Sequence, residues 1–208
     1  MQSESVTHLN GKSDKIYEDF ESLKREKSAL VRELRFFNSL YRTVDITHAS
    51  KNIRPNDTEI IELANTLKTP EDIYQFVKNE IEYINYMPVH EGAVKVLKAG
   101  KGDCVDQAEL LASLLRAAGY TSDDVLVVLG TVNEKRYIEG IPPENHAWVE
   151  FQYEGKRLVL DPTGYLGDFE FDSWVREDFY RAFKIDDYFI YNDESSWIVK
   201  KFNNRFLE

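Results

Sequence analysis

After a polar opening that runs to about Ser13, the positions Ile16, Phe20, Leu23, Leu30, Leu34, Phe37 and Tyr41 recur in alternating steps of four and three, with Lys27 at the one seam position that is not apolar. That rhythm predicts a long helix with a narrow apolar stripe, since Glu18, Asp19, Glu21, Lys24, Arg25, Glu26, Arg32 and Glu33 occupy its other faces. Such a stripe packs along its own domain or against a second copy, so residues 16–41 are a candidate homo-oligomer surface. Residues 1–56 are therefore expected to form a tail, a helix and a linker or irregular wrap, and residues 57–208 a separate domain.

In the second part, Pro55-Asn56-Asp57 predicts a helix start before Ile60, Ile61, Leu63, Ala64 and Leu67. Thr69-Pro70-Glu71-Asp72 resembles a capping box with proline at the first helical position, opening a helix through Ile73, Phe76, Val77 and Ile81. A further helical segment is expected around Ala93–Leu97. An amphipathic helix then follows Gly100-Lys101-Gly102-Asp103, with Ala108, Leu111, Leu115 and Ala118 on one face and Gly119 as its stop. Beyond Gly119 the period changes to two. Val125–Val132, Ala147–Tyr153 and Arg157–Leu160 read as strands, the last two joined as a hairpin at Glu154-Gly155. Helices first and an antiparallel sheet afterwards make an α+β arrangement. The aromatic-rich stretch after Gly164 reads mainly as core or as a wrap over the sheet.

Composition narrows the function classes. The 208 residues are 42% hydrophobic and 13% aromatic, ample for a packed core. With 26 basic against 37 acidic residues the net charge is −11, and no basic cluster is interleaved with aromatics. Nucleic acid and anionic membrane are not expected partners. The run Val125–Leu129 is too short to cross a bilayer, and Met1–Ser5 does not open a signal peptide, so a cytoplasmic location is expected. A single cysteine agrees with a reducing compartment.

That cysteine, Cys104, stands where the glycine loop becomes a helix. Unsatisfied backbone N–H groups at a helix start favour a thiolate, and flanking glycine leaves room for a carbonyl beside the sulfur. A catalytic thiol also needs a base, which His146 could supply. The histidine in turn needs its second nitrogen held, which Asp161 could do from the neighbouring strand of the hairpin. Taken singly, a buried small thiol, a satisfied histidine and an Asp-Pro turn are ordinary structural features. Together, on adjoining elements, they form a candidate triad.

The segment Lys101-Gly102-Asp103-Cys104-Val105-Asp106-Gln107-Ala108, with its continuation to Tyr120, resembles the nucleophile helix of the transglutaminase-like superfamily. His146-Ala147-Trp148-Val149-Glu150 and Asp161-Pro162-Thr163 resemble that family's histidine and aspartate motifs, in the family's order, so the resemblance spans Ile73 to Thr163. It implies a papain-like α+β fold and a Cys-His-Asp triad of Cys104, His146 and Asp161. The expected chemistry is cleavage or transfer of an amide of a protein or peptide through a thioester. The backbone N–H of Cys104 would be the first oxyanion donor, with Tyr83, Tyr86 and Trp148 as candidates for a second or for substrate support.

Asp103, Asp106 and Asn145 also resemble a calcium-binding arrangement of bacterial transglutaminase-like cysteine peptidases, although Val105 stands where that group has glutamate. Three such side chains fall short of the coordination that calcium takes, so no metal or other cofactor is expected. Hydrolysis is the expected outcome, because the chain shows none of the additional β domains of the large cross-linking relatives. The alternatives are a cross-linking acyltransferase, a peptide-binding module that kept the fold, and an oligomeric scaffold.

Overall fold

The computed structural model describes residues 15, 19–20, 22–24, 27, 49–84, 92–132, 144–167, 169–183 and 186–198. The chain divides into two compact units, 1–42 and 43–208. In the first, the described residues 15, 19–20, 22–24 and 27 are helical, and Phe20 and Leu23 are exposed. The rest of the stripe expected over 16–41, from Ile16 to Tyr41, lies outside the described residues.

In the second unit the helices up to residue 117 and the strands over 125–160 follow in the order the sequence predicts. A 3-10 turn over Ala49–Asn52 leads into α1, Thr58–Leu67, and α2, Pro70–Glu80. Thr69 caps α2 by accepting the Asp72 N–H at 3.1 Å, with Pro70 just inside the start, where a missing N–H does no harm. The two-residue strands β1, Glu82–Tyr83, and β2, Lys101–Gly102, pair in parallel, with the helix α3, Ala93–Ala99, between them in the chain. The stretch up to Asn56, expected to be a linker or irregular wrap, is anchored from Ala49 onward. Ala49 and Ile53 are buried, and the Arg54 N–H donates to Ser113 Oγ at 2.9 Å.

The helix α4, Cys104–Ala117, is the centre of the fold. It was expected to be amphipathic, yet every residue from Val105 to Leu115 is buried, polar ones included. A helix covered on all sides must satisfy its polar side chains internally. Glu109 does so by accepting from the Tyr191 hydroxyl at 2.9 Å and from Asn52 Nδ2 at 3.1 Å. Ser113 donates back to Glu109 O, and Gln107 Nε2 reaches Ile81 O. These bonds tie the helix to the preceding turn, to the β1 approach and to the C-terminal strands.

The sheet against which α4 packs has the order β5-β4-β3-β6-β7 and is antiparallel throughout. Its members are β3, Val125–Val132; β4, Glu144–Tyr153; β5, Lys156–Leu160; β6, Asp186–Tyr191; and β7, Ser196–Ile198. The β4–β5 hairpin turns at Glu154-Gly155, both with positive φ (47° and 78°), which is the two-residue turn whose twist matches that of the strands. One face carries Val127, Val149 and Phe151, and Tyr120, just past α4, meets Phe151 edge-on at 4.7 Å. The other face carries Val128, Trp148 and Val159, packed with Leu166, Phe169 and Phe179. Phe179 belongs to the helix α5, Arg176–Phe183, which is also held by Glu150. The Glu150 carboxylate takes Arg176 Nε at 2.9 and 3.0 Å and the Tyr180 hydroxyl at 2.8 Å.

Candidate active site

Asp103 and Asp106 build the start of α4 by a reciprocal cap. Asp103 Oδ1 accepts the N–H groups of Val105 (3.0 Å) and Asp106 (3.2 Å), while Asp106 Oδ2 accepts the Asp103 N–H at 3.2 Å. The cap commits the amides of Val105 and Asp106 and not that of Cys104, whose N–H stands at the head of the helix. Gly102 is required by this arrangement, since a Cβ there would lie 2.6 Å from Asp106 Cβ and 3.2 Å from Val96 Cγ1. The loop therefore draws Asp106 inward, and Cys104 is left partly exposed with a free thiol.

His146 enters β4 opposite Gly130, and its side chain is only 1% exposed. Its Nε2 lies 3.0 Å from Asp161 Oδ2, an ion-pair contact whose alignment departs from an in-line hydrogen bond. Cys104 is within hydrogen-bonding reach of the same imidazole, and with Nε2 committed to Asp161, Nδ1 is the nitrogen left for the sulfur. Burial is the largest influence on His146 and pushes its pKa down. The charge and hydrogen bond of Asp161, joined by those of Cys104, outweigh it and hold the pKa above that of a free histidine. For Asp161 burial is again the largest influence and raises the pKa. His146 and the Thr163 hydrogen bonds overcome it, so the carboxyl sits below its ordinary value. The pair is therefore an imidazolium and a carboxylate, both removed from water.

Asp161 follows β5 directly and is completely buried. Its Oδ1 accepts the Thr163 N–H (3.1 Å) and the Thr163 hydroxyl (2.7 Å), the turn that an Asp-Pro-Thr run can form, and Leu166 N–H approaches Oδ2 at 3.4 Å. The Tyr74 hydroxyl, on α2, lies 3.0 Å from Asp161 O and 2.8 Å from Phe169 O, fixing the backbone on both sides of the turn. The two aspartates at the start of α4 place negative charge near the sulfur, so the positive charge that a thiolate needs must come from His146 and from the helix terminus.

The structure thus brings together Cys104, His146 and Asp161, three residues that the sequence separates widely. Tyr83 stands opposite Gly102 in the β1–β2 pair, two residues before the nucleophile position, and is partly exposed. Tyr86 lies outside the described residues, as does the side chain of Asn145. Trp148, expected to support a substrate or oxyanion, is fully buried in the cluster with Phe179 and faces His146 at a ring distance of 6.3 Å. Its ring belongs to the core and backs the imidazole. Among the described residues no group of three or more His, Cys, Asp or Glu is arranged to hold a metal ion. Asp103 and Asp106 are engaged in the cap.

Three participants escaped the sequence reading. Thr163 carried a signal, as a hydroxyl two residues after an aspartate. Tyr74 and Tyr165 carried none. Tyr165 packs on the imidazole of His146 with ring centroids 4.8 Å apart.

A family model described as the transglutaminase-like superfamily matches residues 57–162, about half of the chain. No curated protein matches it. Among solved structures, a candidate cysteine protease from Cytophaga hutchinsonii is similar at 21% identity and a TM-score of 0.42, over 50% of this chain and 37% of that one. This chain thus spans well under half the length of that relative. LapG of Legionella pneumophila is similar at 16% identity and a TM-score of 0.45, over 77% of this chain and 89% of LapG. The calcium-bound form of LapG is similar at 20% identity and 0.43, over 66% and 75% of the two chains.

Proposed function

The chain belongs to the transglutaminase-like superfamily, and from that premise we propose that it is a cysteine peptidase or amidase acting on a peptide or protein amide. The observation that carries the proposal is the buried His146 imidazole, with Asp161 Oδ2 3.0 Å from its Nε2 and the Cys104 thiol within reach of the same ring. In the proposed reaction His146 holds the thiol proton, and the Cys104 thiolate adds to the amide carbonyl, forming the S–C bond. The carbonyl oxygen then carries negative charge, for which the Cys104 N–H is the first donor and Tyr83 a candidate second. Collapse breaks the C–N bond, and His146 protonates the departing amine. Water attacks the thioester as His146 takes its proton. Collapse of this second adduct breaks the C–S bond, which releases the acid and restores the Cys104 thiolate with the proton on His146.

Hydrolysis is favoured over transfer to a second amine because water stands at about 55 M, so an amine must be held in place to compete. The test supplies a reactive ester or peptide amide together with a labelled primary amine, and follows both the acylated protein and the products by mass spectrometry. A thioester on Cys104 that resolves to free acid is expected, and it is absent from Cys104→Ala. Labelled amide as the main product at millimolar amine would reassign the protein as an acyltransferase. No acyl adduct with any substrate would favour a peptide-binding role.

A further inference from the structure

We propose that Tyr165 is a positioning residue that covers the imidazole of His146 and keeps the His146–Asp161 pair dry, an inference that rests on the triad reading above. Three observations converge on it. The His146 side chain is 1% exposed although it belongs to a site that a substrate must reach, while Tyr165, whose ring lies 4.8 Å from it and is tilted by 32°, is 43% exposed. Tyr165 is therefore a layer between the imidazole and solvent on that side, and Trp148 closes another at 6.3 Å. Second, the position of Tyr165 is set by the carboxylate that holds His146. Asp161 Oδ1 accepts the Thr163 hydroxyl at 2.7 Å, and Thr163 Oγ1 in turn accepts the Tyr165 N–H at 3.1 Å. Third, Gly164 between them has φ +68°, which reverses the chain and would strain any other residue, and Leu166 immediately after is anchored in the core. The turn is fastened at both ends, so the tyrosine ring is delivered onto the histidine by the same carboxylate that fixes its tautomer.

A dry ion pair holds its orientation better than a hydrated one, because each water that enters competes for Nε2 and for Oδ2. The ring's other surface stays in contact with solvent.

The experiment compares wild type, Tyr165→Ala, Tyr165→Leu and Tyr165→Phe by proton and nitrogen NMR of the histidine imidazoles. His146→Ala and Asp161→Asn serve to assign the Nε2 proton, and alkylation of Cys104 is measured on the same samples. The expected result is a slowly exchanging Nε2 proton in wild type and in Tyr165→Phe, with exchange faster by about tenfold or more in Tyr165→Ala. Tyr165→Leu, which keeps an apolar cover without the ring, falls between. A merely structural tyrosine would alter thermal stability without changing this proton. Equal exchange in wild type and Tyr165→Ala, or no such proton in wild type, overturns the inference. The triad reading fails separately, if Cys104 in wild type alkylates no faster than a free thiol.

Discussion

At the scale of single residues, Asp161 carries several tasks at once: it pairs with His146, closes the turn through Thr163 and fixes the chain that leads to Tyr165. Removing one partner of a buried pair leaves the other charge uncompensated, so Asp161→Asn should destabilise the fold by about 3–5 kcal/mol. The pH dependence follows from the two directions. Asp161 is held below its unfolded pKa, so its contribution is present above about pH 4 and is lost as pH falls through the lower folded value. His146 is held above its unfolded pKa, so its contribution is complete below about pH 6.5 and is lost as pH rises through the higher folded value. The gap in melting temperature between wild type and Asp161→Asn should therefore be widest between these limits and narrow toward both extremes. A gap independent of pH would mean that the pair is not charged. Cys104, His146 and Asp161 were legible in the sequence because each sits in a local motif. Tyr165 was not, because its role depends on a reversal at Gly164 and on a contact across the fold, and neither leaves a periodic trace.

At the scale of elements, the start of α4 decides where the sulfur points. Gly102→Ala would drive a methyl group into Asp106 Cβ and Val96, so either β2 or the helical cap must give way. A loss of about 1–3 kcal/mol is expected, together with a larger fall in Cys104 reactivity than the stability change explains, because both β2 and the cap adjoin Cys104 and a shift of either re-aims the sulfur. Unchanged reactivity in a folded Gly102→Ala protein would contradict this role of the glycine. Strands β3, β4 and β5 were readable because long alternating runs and the Glu154-Gly155 turn state both period and register. The pair β1–β2 was not, being two residues long, and β6 and β7 were hidden among aromatics that also suit a helix or a wrap. The helix α4 is legible in the sequence, but its surroundings are not. Glu109 and Gln107 look like a solvent face in sequence and are buried only because Tyr191, Asn52 and Ile81 O come to meet them.

At the scale of the whole molecule, the aromatic C-terminal part forms the layer that covers the face of the sheet bearing Trp148 and Val128. Phe179 is its centre, in ring contact with Trp148, Phe169, Trp174, Tyr180 and Phe183. Phe179→Ala should cost about 3–5 kcal/mol, read from chemical denaturation, and should loosen the support behind His146 through Trp148. A change of only a few tenths would mean that this layer is not part of the cooperative unit. The architecture as a whole places a helix terminus, an imidazole and a carboxylate from distant parts of the chain at one point. The consequence is an activated sulfur at Cys104. The direct measurement is the rate at which an alkylating reagent modifies Cys104 in the native protein near neutral pH, set against a free thiol and against His146→Ala. Native Cys104 is expected to react faster than the free thiol by about tenfold or more, with the advantage lost in His146→Ala. Modification only after unfolding, or equal rates with and without His146, would contradict it.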